Sequence, residues 1–61
     1  RPDYYYHQVG NDWLCRCQIQ WLDEPLIETE AIEASKKDAK TNASLKAIVH
    51  LEKFVVEELS D

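Results

Sequence analysis

The chain has 61 residues, 44 % of them hydrophobic and 31 % charged, with a formal net charge of −5. That length allows one domain with a thin core, and that composition excludes a disordered tail. No apolar run approaches the ~18 residues that cross a membrane, the first residues show no secretory-signal pattern, and the acidic balance speaks against generic nucleic-acid binding, which Lys and Arg supply.

Tyr4 to Val9 is rich in aromatic and β-branched residues and predicts a strand. Gly10-Asn11-Asp12 predicts a turn. Trp13 to Trp21 then alternates: Trp13, Cys15, Cys17, Ile19 and Trp21 share one face, and Leu14, Arg16, Gln18 and Gln20 the other. A period of two predicts a half-buried antiparallel strand, with both tryptophans in the core. Leu22-Asp23-Glu24-Pro25 predicts a second turn. Leu26 to Ile32 predicts a third strand, with Ile27, Thr29 and Ala31 opposite Glu28 and Glu30. The tyrosines Tyr4, Tyr5 and Tyr6 fall on both faces of their strand, so at least one is expected to be exposed.

Ser35 begins a helix. Ser35-x-x-Asp38 has the form of a capping box, in which the Ser oxygen satisfies a free amide of the first turn. Ala39, Ala43, Ala47 and Leu51 follow at intervals of four, with Ile48, Phe54 and Val55 widening the stripe. No Gly or Pro intervenes before Leu59, so the helix is expected to run ~24 residues, or ~36 Å. The fold class is therefore α+β: a three-stranded antiparallel sheet followed by a C-terminal helix packed on one face.

Charge is segregated along the chain. All five lysines lie between Lys36 and Lys53, whereas 23–33 holds five acids and no base, and Glu57, Glu58 and Asp61 close the chain. Lys36 and Lys37 sit in the first helical turn, where the helix dipole disfavours cations. Free amides, dipole and ammonium groups together suit a phosphate. At 100° per residue, Lys36, Lys37 and Lys40 fall within roughly a 100° arc, so they form one basic patch; the alternative is a solvated lysine face.

Ala34-Ser35-Lys36-Lys37-Asp38-Ala39-Lys40-Thr41-Asn42-Ala43-Ser44-Leu45-Lys46-Ala47-Ile48 resembles the most characteristic stretch of the double-stranded-RNA-binding domain family. Pro2-x-Tyr4 is similar to the start of the family's first strand, Gly10-Asn11-Asp12 falls at its first hairpin loop, and Cys17, Ile19 and Trp21 match inward positions of its second strand. The resemblance implies recognition of duplex RNA by shape and backbone. Lys36, Lys37 and Lys40 would meet phosphates, and Gly10, Asn11 and Asp12 would approach the minor groove. The sequence departs from the pattern in four places. The family's first helix has no counterpart in these residues. Trp13 stands for the loop His, Ala31 and Glu33 stand where glycines are usual, and Glu33 brings an acid close to the lysines.

The chemistry-bearing residues otherwise fit no enzyme. Cys15-x-Cys17 with His7 has neither the spacing nor the ligand count of a zinc site. No nucleophile–base pair or phosphate-cradling Gly-rich loop is visible, so neither catalysis nor a cofactor is expected. Two cysteines one residue apart on a strand are poorly placed to bond each other, which points to a reducing compartment, nucleus or cytoplasm. Residues 1–61 are expected to be one domain of a larger RNA-processing or regulatory protein. The alternative expectation is a divergent module for protein–protein association or dimerisation, through the uncovered sheet face and the apolar Phe54, Val55, Val56 and Leu59.

Overall fold

The computed structural model describes residues 1–59; Ser60, Asp61 and the side chains of Phe54 and Glu58 lie outside that description. Three strands, β1 (Asp3–Val9), β2 (Asp12–Ile19) and β3 (Ile27–Glu33), are followed by one helix, α1 (Lys36–Leu59). The strands form an antiparallel meander in the order β1-β2-β3. This is the expected α+β fold.

A two-residue turn joins β1 to β2. Val9 pairs with Asp12, so Asp12 opens β2 rather than belonging to the turn. Gly10 has φ +60°, and the next residue, Asn11, is not in the left-handed region. Positive φ at the first central position alone is the type II′ pattern, whose twist matches that of the flanking strands and which favours Gly there.

Register fixes what each face holds. Trp13, Cys15, Cys17 and Ile19 stand opposite Glu33, Ala31, Thr29 and Ile27, and Cys15 and Cys17 stand opposite Tyr6 and Tyr4 on the other side. On the outward face, Arg16 lies 2.7 Å from Glu30 and 4.0 Å from Glu28, and Gln18 donates to Glu28 at 2.5 Å.

The core under α1 is made of small side chains: Cys15, Cys17, Ala31, Ala39, Ala43 and Ala47 are buried, with Thr29 among them. Small residues on both surfaces let the helix approach β2 and β3 closely, and polar groups then bridge the gap. Thr29 Oγ1 donates to the Ala43 carbonyl at 2.7 Å. At the β1 side, the Tyr4 hydroxyl and Ser44 Oγ are 2.9 Å apart. At the β3 side, Lys46 Nζ donates to the Glu30 carbonyl at 2.7 Å. Cys15 and Cys17 are free thiols. Burial pushes the Cys15 thiol above its ordinary range, and Cys17 beside it adds to the shift.

Two expectations need correction. Trp21 is not a core residue: β2 ends at Ile19, and Trp21 is 50 % exposed. The cause lies in the β2–β3 loop, where Leu22 takes φ 51°, Glu24 N–H donates back to the Trp21 carbonyl at 2.9 Å, and Gln20 Nε2 donates to the Glu24 carbonyl. That turn breaks the alternation before Trp21 can point inward. Ile48 and Val55 do not widen the buried stripe either; both are exposed. Both lie round the helix from the buried alanines, outside the narrow stripe that meets the sheet, and the helix also outruns the sheet. Strands of seven or eight residues reach ~25 Å, whereas 24 helical residues reach ~36 Å.

Candidate nucleic-acid interface

Ser35 sets the start of α1. Its side-chain Oγ accepts from the Asp38 amide at 3.1 Å, and its carbonyl accepts from the Ala39 amide at 3.0 Å. Those are the two bonds of an N-cap, and they place Lys36 and Lys37 in the first turn beside Asp38.

The lysines lie over aromatic rings. Lys36 Nζ is 4.5 Å from the centre of the Trp13 ring and 5.6 Å from that of Tyr6. Lys40 Nζ is 4.7 Å from the centre of the Tyr4 ring. Each ring face offers an exposed ammonium group roughly 0.5–1 kcal/mol, which offsets the misfit with the helix dipole. Lys36, Lys37 and Lys40 nevertheless remain exposed. The rings hold two of the three cations on the β1 side of the helix without burying them.

Trp13 is the second residue of the strand that leaves the Gly10-Asn11 turn, and Lys36 sits over it. The structure therefore brings the turn and the lysines to one end of the molecule. Glu33 shares that end. It pairs with Trp13 across the sheet and accepts from Asn42 Nδ2 at 2.8 Å. Its carboxylate is thus tied to the helix. Two other basic groups are engaged locally: Glu30 bonds Arg16 and raises its pKa, and Lys46 is bonded to β3.

Sequence patterning assigned Tyr4, Tyr6 and Trp13 no part in this site. Their shared inward face on neighbouring strands, set against the i, i+4 spacing of Lys36 and Lys40, is the signal that links them. Tyr6 lies against Cys15, and its phenol pKa is raised, first by burial and then by that thiol.

No protein-family model matches this chain, and no curated protein or solved structure matches it.

Proposed function

We propose that this chain is a non-catalytic module that binds double-stranded RNA by duplex shape and phosphate backbone, within a larger RNA-processing or regulatory protein. One observation supports the reading above the rest: exposed lysines of a capped helix start and a tight hairpin turn share one end of the molecule. In this reading Lys36, Lys37 and Lys40 meet phosphates, while Gly10 and Asn11 approach a groove beside Asp12. The resemblance of 34–48 to the double-stranded-RNA-binding domain family points the same way.

The test is titration with a perfect RNA duplex of ~16 base pairs, the length such domains span. Binding should fall steeply with salt, and each lysine removed should lower the salt slope by about 1. Lys36→Glu with Lys37→Glu should weaken binding at least ~10-fold. Unchanged affinity in that double variant sinks the proposed anchor.

Protein–protein association is the second reading, and a separate observation favours it. Twelve large apolar side chains are 47 % exposed or more among the described residues, a heavy load for so small a domain. If the chain stays monomeric at high concentration and takes no helical peptide, this reading falls.

A further inference from the structure

The side chains of α1 are distributed against expectation for a helix that packs on one sheet. The face against the sheet carries Ala39, Ala43 and Ala47, all buried. The opposite face carries Leu45, Ile48, Val49, Val55, Val56 and Leu59, between 47 and 81 % exposed. At 100° per residue these six fall within roughly a 120° arc centred on Glu52. Counted from Leu45, they occupy positions a, d and e of two successive heptads, with Glu52 at the second a and Leu59 at the third. That is the pattern of a helix facing a core. From Leu45 to Leu59 the stripe is about 22 Å long.

Its relief suits another helix. Shallow hollows lie on both sides of Glu52, one of about 340 Å³ walled by Ile48, Leu51, Val55 and Val56, the other of about 400 Å³ walled by Val49, Val56 and the charged Lys53 and Glu57. Side chains spaced by three and four residues on a partner helix would seat in such hollows, as knobs do in holes.

Charge decides which helix. Glu52 makes no ion pair among the described residues and stands in the middle of the apolar stripe. A second copy of this chain, paired about that centre, would press one Glu52 carboxylate against the other as the seam dries, and both copies carry a net charge of −5. A membrane surface fits no better: helices that lie on lipid flank their apolar face with Lys and Arg, whereas from Leu45 to Leu59 there are only Lys46, which is bonded to the Glu30 carbonyl, and Lys53, against Glu52, Glu57 and Glu58.

We infer that the Leu45–Leu59 face of α1 docks an amphipathic helix of another protein, one that sets a Lys or Arg against Glu52 within its own apolar stripe. The inference rests on the association reading and adds the partner's chemistry to it. It does not depend on RNA binding, which uses the opposite end of the helix.

The experiment uses the whole chain and two synthetic helical peptides with a leucine stripe, identical except for Lys or Glu at the central stripe position. Fluorescence anisotropy should show the Lys peptide binding at least ~10-fold tighter than the Glu peptide, and Glu52→Lys should reverse that preference. Val49→Lys with Val56→Lys should abolish binding of both peptides while circular dichroism still reports an intact helix. Equal binding of the two peptides overturns the inference, as does binding to phosphatidylserine or phosphatidylcholine vesicles in place of the peptides. Self-association at neutral pH that the Val49, Val56 double variant blocks overturns this partner but leaves association standing. No peptide binding and no self-association removes both.

Discussion

From Lys36 to Ala47 the helix turns its smallest side chains inward, whereas from Ile48 to Leu59 it turns several of its largest ones outward. The first half has a sheet beneath it and polar bridges to both outer strands: Tyr4 of β1 to Ser44, and Thr29 and Glu30 of β3 to Ala43 and Lys46. The second half starts beside the first residues of β3, where His50 and Leu51 lie near Ile27 and Glu28, and none of its side chains is fully buried among the described residues. The contrast shows that one helix can be amphipathic toward two different surfaces. Alanine lets the first half come close enough for a side-chain hydroxyl to reach a helix carbonyl. Branched aliphatics in the second half leave an apolar surface that the described fold does not use.

The sharpest way to break this comparison is to alter volume in each half. Ala43→Leu inserts three carbons where no space remains and where Thr29 holds the adjacent carbonyl, and it should cost about 3 kcal/mol, a large share of what a domain of this size holds. Val56→Ser, in the exposed half, should stay within about 0.5 kcal/mol. Urea denaturation reads both, and equal losses would erase the distinction. A smaller effect tests the anchor of the first half. Ser35→Ala removes the acceptor of the Asp38 amide and should cost about 1 kcal/mol with no change in the outward stripe.

The smallest effect is confined to alkaline solution. The folded Cys15 thiol titrates above the ordinary unfolded range near 8.5, so between those two values the unfolded chain has released a proton that the native chain still holds. Stability should therefore be level through neutrality and decline as pH rises past about 8.5, with Tyr6 adding to the decline above about 10. Denaturation midpoints from pH 7 to 10 measure it. A level profile throughout would mean that the seam between α1 and the sheet leaves Cys15 open to water.

Much of this architecture was legible before any coordinates. Alternation located the strands and their faces, because a residue facing one helix and a residue facing water need different chemistry. The four-residue recurrence of alanine located the helix and its packed edge. Trp21 was misread because a period of two runs on past the last paired residue; only the left-handed backbone at Leu22 ends the strand, and Leu is a poor sequence marker for that conformation. Ile48 and Val55 were misread because a three-stranded sheet accommodates a narrower stripe than the apolar residues offer. The lysine cluster was visible as charge in the wrong turn. Its seating on Trp13, Tyr6 and Tyr4 was not, since that contact needs strand register and helix placement together.

Lys46 was counted with the cations, yet its bond to the Glu30 carbonyl gives it a different task. β3 is an edge strand, and unpaired backbone groups on an edge are a template for other chains. An ammonium group laid across that carbonyl occupies the position a foreign strand would take, and an incoming strand would have to strip away both a hydrogen bond and a charge. A charge placed on an edge strand is one of the ways natural sheets discourage edge-to-edge addition, and the lysine that ties the helix to the sheet puts one there.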